Sequence, residues 1–290
     1  MDTTQTGPPA VTLVNRGALL HAEGDLTGAE TAYREALAVD PENVSALSNL
    51  GFLLAGFGRH EEAIELYRRA LAFDPARGVA WGNLGLSQIA TGKVEAGLLA
   101  LGRSVRLEPT NRFAWEAMAR TLVALGRLGE AETAWRQAAE LSPDDVGVLL
   151  SLAATVAALD RLAEAIALAR HAVAADPSSA WAWTQLGTLC LGHDDFGSAA
   201  EALRRALSIS PDDASARYHL ALLCAVTGDA ERARELLASV AAAGPDALFA
   251  PEARQLLERL RDHPAGEDER VPEPPPGPPS PPGDDGATSR

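Results

Sequence analysis

Cysteine, lysine and aromatic residues are all scarce in this chain of 290 residues. Two cysteines, Cys190 and Cys224, cannot make a disulfide framework or a structural zinc site. Lysine occurs once, at Lys93, and the net charge is −15. Nucleic-acid affinity rests on neutralising phosphates with Lys and Arg, so DNA, RNA and anionic membranes are not expected as partners. The longest apolar stretch, 146–159, is broken by Ser151 and Thr155 and falls short of the roughly 20 residues a membrane span needs. Residues 1–10 carry neither a basic cluster nor an apolar run, so nothing resembles a secretory signal. The expectation is a cytoplasmic protein with reduced thiols.

Chemical motifs are missing too. There is no Gly-rich phosphate loop, nucleophile elbow, H-E-x-x-H or C-x-x-C. His193, Asp194 and Asp195 form the one local cluster of metal-ligand types, at a place where a polar turn is expected anyway. We therefore expect no enzyme activity, no metal and no cofactor.

What is abundant is proline and glycine, 19 and 25 residues, and part of each is periodic. Prolines stand at 41, 75, 109, 143, 177, 211 and 245, always 34 apart. Taking each as position 32 defines seven units from Ala10 onward without insertion or deletion. Position 8 is always small: Gly17, Gly51, Gly85, Ala119, Ala153, Gly187, Ala221. So is position 20: Ala29, Ala63, Gly97, Ala131, Ala165, Ala199, Ala233. Position 27 is Ala or Ser until Val240. Two antiparallel helices approach closely only where both carry small side chains, so these columns read as helix–helix notches. Position 15 holds Gly24, Gly58, Gly92, Gly126 and Gly228, with Asp160 and Asp194 in the other two units; all suit the left-handed end of a first helix. Proline at position 32 then closes the second helix.

The stretch Trp81-Gly-Asn-Leu84-Gly85, with Ala63, Tyr67, Ala70 and Pro75 in the second-helix pattern, resembles the tetratricopeptide repeat family. The usual Tyr at position 11 is replaced by Leu20, Leu54, Gln88, Leu122, Val156, Cys190 and Cys224. The resemblance implies an all-α fold: a right-handed α-α superhelix, or solenoid, of seven helix-turn-helix repeats. Equivalent positions on stacked repeats lie about 10 Å apart, too far for a Cys190–Cys224 disulfide, so both cysteines read as core thiols. Trp81, Trp115 and Trp183 at position 4, and Trp135 at position 24, read as packing residues. Residues 248–262 form a further amphipathic stripe, Phe249, Ala253, Leu256, Leu257 and Leu260, read as a C-terminal capping helix. The expected organisation is a flexible start (1–9), one elongated solenoid with its cap (10–262), and a disordered, Pro-rich acidic tail (263–290). The tail has nine prolines and a net charge of −4, from six acids and two arginines. It reads as a solubilising segment or as a ligand for a proline-reading domain.

The resemblance implies binding along a concave face lined by first helices, through positions 2, 5, 6, 9, 12 and 13. Position 6 begins with Asn15, Asn49 and Asn83, and amides can both donate to and accept from a peptide backbone. This is similar to the asparagine ladder of O-GlcNAc transferases, although Asn is also the family's common residue there. The chaperone-tail carboxylate clamp of related repeats needs cations, where this chain has Val11, Val79 and Asn83, so that ligand is not expected. Phe52 and Leu86 add apolar lining. Farther along come Phe113, Glu116, Arg120, Trp181, Gln185, Tyr218 and His219. Glu116 and Arg120 are spaced to pair with each other, and Trp181 reads either as a ligand anchor or as packing.

The function expected from these residues is that of a protein–protein interaction adaptor or scaffold. It would hold a neutral or basic partner segment, extended or helical, in the groove. The alternatives are an accessory subunit of an enzyme or secretion complex, and a self-associating structural protein. Nothing in the sequence indicates homo-oligomerisation.

Overall fold

In the computed structural model, which describes residues 9–244 and 247–262, every regular element is an α-helix. In chain order these are α1 (Ala10–Ala22), α2 (Leu26–Val39), α3 (Val44–Gly56), α4 (His60–Phe73), α5 (Gly78–Ala90), α6 (Val94–Leu107), α7 (Arg112–Ala124) and α8 (Leu128–Leu141). There follow α9 (Val146–Ala157), α10 (Leu162–Ala175), α11 (Ala180–Gly192), α12 (Phe196–Ile209), α13 (Ala214–Val226), α14 (Ala230–Ala241) and α15 (Ala250–Asp262). Each odd-numbered helix up to α13 packs against the next to make a hairpin, and α15 packs on α14. The fold is thus all-α and built from tetratricopeptide-type hairpins, as the family resemblance implied. The contacts divide it into two compact units, one holding α1–α8 and the other α9–α15. Pro245, the proposed flexible start up to residue 8 and the tail from 263 lie outside the described residues.

Local chemistry explains the hairpins. Position 15 takes the left-handed conformation in every one: the five glycines have φ of 71–88°, Asp160 has 60° and Asp194 57°. This lets the N–H of position 16 reach back to the carbonyl of position 11, six residues counted inclusively, at 2.8–3.2 Å in all seven hairpins. That bond satisfies a carbonyl otherwise orphaned at the helix end, and it uses only backbone, so position 11 is free to vary. Helix starts are capped by Asp25, Asn43, Asn111, Asp145, Ser179, Asp195, Asp213 and Asp229. Each side chain accepts from an amide three residues on, at 2.9–3.2 Å. His193 follows the end of α11, Asp194 takes the turn and Asp195 caps α12, so this trio has structural work. Among the described residues no group of three metal-ligating side chains comes together.

An aspartate in the left-handed region carries a steric cost that glycine avoids. The exposed Asp160 makes no side-chain bond that would be lost. Asp160→Gly should therefore stabilise the protein by about 0.5–1 kcal/mol, the steric relief exceeding the extra freedom given to the unfolded chain. A lower urea midpoint for the variant would contradict this.

The tryptophan column has a second task beside packing. Trp81, Trp115 and Trp183 each donate Nε1–H to the carbonyl of the proline six residues earlier, Pro75, Pro109 and Pro177, at 2.9–3.0 Å. The indole thereby ties each first helix to the end of the preceding second helix. In the seventh unit Arg217 occupies the column and pairs instead with Asp212 at 2.8 Å.

In the first unit the core gathers Leu13, Tyr33, Leu50, Leu54, Ile64, Tyr67 and Leu84, with Leu101 and Ala117 in a neighbouring cluster. In the second unit one cluster runs from Leu149 to Ala253, and Phe249, Leu256, Leu257 and Leu260 pack against it. The expected capping stripe therefore does cover the last hairpin. Cys190 and Cys224 are free thiols. Burial pushes both pKa values up, but only Cys190 is fully buried; Cys224 is half-buried.

Candidate peptide-binding face

Positions 2, 6 and 9 of a first helix are spaced i, i+4 and i+7 and so share one face. In the first unit this stripe reads Val11, Asn15 and Ala18 on α1, then Ser45, Asn49 and Phe52 on α3. It continues as Val79, Asn83 and Leu86 on α5, and Phe113, Ala117 and Arg120 on α7. Val11, Phe52, Val79, Leu86 and Phe113 all stand exposed, Phe113 by 69%. The stripes of α1, α3 and α5 carry no charge at these positions. Phe52 leans on His21 of α1, with ring centroids 5.8 Å apart. Phe52, Leu86 and Phe113 are among the groove residues expected above, whereas Val11 and Val79 enter there only as missing cations. The signal was available: β-branched apolar residues on a helix face where core columns are already assigned elsewhere.

The asparagine column is not three equivalent amides. Asn15 is exposed, whereas Asn49 and Asn83 are half-buried, each beside a tyrosine of the preceding second helix. Burial raises the Tyr33 phenol, and a hydrogen bond from Asn49 pulls partly the other way. Tyr67 is raised further by burial, with Asn83 again opposing. The Tyr67 hydroxyl has no hydrogen bond of regular geometry, so the Asn83 amide stands near it without closing a good bond. Position 6 therefore meets position 24 of the unit before it. That gives Asn49 and Asn83 a packing duty that the exposed Asn15 does not share.

Glu116 is poorly available to a ligand. Its carboxylate is only 13% exposed and lies between Arg112 at 2.9 Å and Arg120 at 3.2 Å. The Arg112 contact is an ion pair too bent to count as a hydrogen bond. The anticipated i, i+4 pairing with Arg120 is present, and Arg112 also lies over the Phe113 ring at 5.0 Å. Glu116 thus organises the arginines around Phe113.

The second unit departs from expectation. Trp181 and Gln185 are half-buried on α11, and Trp181 packs against the core cluster. Tyr218 and His219, expected on the open face, are each only 4% exposed. Phe249, just before α15, covers them: its ring stacks on Tyr218 at 4.7 Å and 7°, and meets His219 edge-on at 5.5 Å. His219 Nδ1 donates to the Ser215 carbonyl at 2.7 Å, and burial pushes its pKa below the usual value, leaving a neutral ring. Both residues are corrected from binding candidates to core.

Among the described residues no helix is long and apolar enough to cross a membrane. Comparison with known proteins follows the same lines. Residues 5–191 match the family model described as the Cilia and flagella-associated protein 70 C-terminal domain. Residues 191–260 match a tetratricopeptide repeat model. Among solved structures, MamA is 22% identical over 58% of this chain and 92% of its own, with a TM-score of 0.53. YrrB, described as a TPR protein with an unusual peptide-binding site, is 22% identical over 64% and 95%, with a TM-score of 0.57. PilF of Pseudomonas aeruginosa is 18% identical over 73% and 97%, with a TM-score of 0.61. At such identities the likeness is one of fold. No curated protein sequence matches the chain significantly.

Proposed function

Because the chain belongs to the tetratricopeptide repeat family, we propose that its first unit is a non-catalytic interaction module that holds an apolar segment of a partner protein. The observation that supports this is the set of Val11, Phe52, Val79, Leu86 and Phe113, exposed at positions 2 and 9 of α1, α3, α5 and α7. An apolar surface of this kind is costly to leave in water, and on a soluble domain such patches mark contact sites. Asn15, Asn49 and Asn83 lie along the same stripe and supply amides able to pair with a peptide backbone. Asn49 and Asn83 do so with whatever hydrogen-bonding capacity their tyrosines leave. A structural relative, YrrB, is described as having a peptide-binding site. With a net charge of −15 on the chain, a neutral or basic segment is favoured over an acidic one.

The test is a triple change, Phe52→Ser with Leu86→Ser and Phe113→Ser, in the full chain. The partner is first recovered with the wild-type protein, identified, and its affinity measured by calorimetry. Each well-packed anchor contributes about 1–2 kcal/mol, so the triple variant should bind at least about a hundredfold more weakly while keeping its helical content. Trp181→Ala should leave the affinity unchanged. Equal affinity for the triple variant would refute the assignment. A wild-type dimer that the same changes dissolve would instead identify the face as a self-association surface.

A further inference from the structure

The second unit carries a site that the first-helix face does not include. Trp183 of α11 and Glu201, Arg204 and Arg205 of α12 line an open depression of about 470 Å³. About half of the exposed arginines among the described residues are matched to carboxylates, as in Arg34–Glu30, Arg68–Glu65, Arg127–Glu130 and Arg232–Glu235. Arg204 and Arg205 are exposed, and neither has a carboxylate within ion-pair distance among the described residues, although Glu201 is three and four positions away. The Trp183 N–H is already committed to Pro177, so what the indole offers is its face. At the equivalent place in the first unit Arg103 lies over the Trp81 ring, 4.6 Å from its centre. No cation covers Trp183 in this way among the described residues. An uncovered indole face beside two unmatched guanidinium groups suits a ligand that combines proline with carboxylate. Prolines pack on aromatic faces, and carboxylates take charge-assisted bonds from arginine.

The chain itself contains such a ligand. After α15 the sequence runs Glu267-Asp268-Glu269-Arg270-Val271-Pro272-Glu273-Pro274-Pro275-Pro276. We propose that this segment of the chain's own tail docks in the Trp183–Arg204–Arg205 depression. Reach permits it. Within this unit α12 packs on α13, α13 on α14 and α14 on α15, three steps of about 8–10 Å each. A chain can span at most about 3.3–3.6 Å per residue, so the ten or so residues after Asp262 are long enough to cover about 30 Å and bring Glu273 and its neighbouring prolines to the site. Charge agrees as well: the two arginines outweigh Glu201, and four acids lie within the docking segment.

The experiment uses the full chain labelled with 5-fluorotryptophan, the Trp183 fluorine resonance being assigned from Trp183→Phe. Neutralising the tail with Glu267→Gln, Asp268→Asn, Glu269→Gln and Glu273→Gln should move the Trp183 resonance while leaving that of Trp81 in place. Those substitutions are more than eighty residues from Trp183 in sequence, so only docking connects the two. Arg204→Gln with Arg205→Gln, which leaves the tail sequence untouched, should speed trypsin cleavage after Arg270 by at least about fivefold. A third variant pairs Arg204→Glu and Arg205→Glu with Glu267→Arg, Glu269→Arg and Glu273→Arg, and should restore a Trp183 resonance that responds to the charge of the tail. A Trp183 resonance indifferent to the tail changes overturns the proposal. So does a shift that grows with protein concentration, which would place the tail of a second copy in the site.

Discussion

Gly97→Ala should destabilise the protein by about 2 kcal/mol, although alanine stands at this position in the six other repeats. Helix propensity alone points the opposite way, because alanine in a helix interior is favoured over glycine by about 1 kcal/mol. What reverses the sign is the distance between α5 and α6. A Cβ on Gly97 would lie 2.7 Å from the backbone carbonyl oxygen of Gly85 and 2.6 Å from Cγ1 of Ile89. The Ile89 side chain can turn aside, but a carbonyl inside a helix cannot, so the hairpin must widen and lose packing around Leu101. Overpacking of this kind costs about 1–3 kcal/mol, and this case belongs at the upper end. Gly85→Ala meets the same obstacle from the other side, its Cβ 2.8 Å from the Gly97 oxygen. The internal control is on the same helix: a Cβ on Gly102 would touch only the tip of Arg106, at 3.6 Å. Gly102→Ala should therefore gain about 0.5–1 kcal/mol. Denaturant unfolding of the two single variants decides the matter, and a Gly97→Ala midpoint at or above wild type would contradict the close-approach account.

Phe249→Ala should cost about 3 kcal/mol and release the C-terminal cap. The ring is stacked on Tyr218 and edge-on to His219, so its removal forfeits an aromatic contact of about 0.5–1.5 kcal/mol together with the burial of the ring itself, about 2 kcal/mol. No strain is recovered in exchange. Phe249 sits at φ 61°, a region as unfavourable for alanine as for phenylalanine. In a stack where each hairpin leans on its neighbours, the loss stays local. Amide exchange should accelerate in α15 and α14 and stay at wild-type rates in α1 to α4. The exposed His219 should also regain a pKa near its ordinary value, since burial is what lowers it. Unchanged exchange in α15, or an unchanged His219 titration, would show that Phe249 is not the latch.

These two residues mark the limit of what could be read in advance. The repeat length, the helix ends and the left-handed turns at Asp160 and Asp194 were legible because each depends on a residue and its immediate neighbours. The same is true of the Glu116–Arg120 pair, which lies within one helix. Tyr218 and His219 were misplaced because their exposure is decided by chain some thirty residues later, where Phe249 folds back over them. The duty of Asn49 and Asn83 toward Tyr33 and Tyr67 went unseen for a similar reason. It joins one repeat to the next, and the asparagine column could be read equally as a ladder for a ligand.

The sequence by itself determined the unit of construction. A 34-residue period with small residues at two facing columns and punctuation at two turns admits helical hairpins and little else. Backbone sterics, capping and notch size act over a few residues, so their pattern is written along the chain. Tertiary structure decided how close each hairpin closes, which members of a column stay open and which are covered. Gly97 and Ala63 occupy the same column, yet only the α5–α6 hairpin has glycine at both position 8 and position 20, and there a Cβ on either would meet the other's carbonyl within 2.8 Å. Phe113 and Tyr218 are both aromatic on a first helix, yet one is 69% exposed and the other 4%. Exposure is a property of what packs on a residue from elsewhere, and no local pattern contains it.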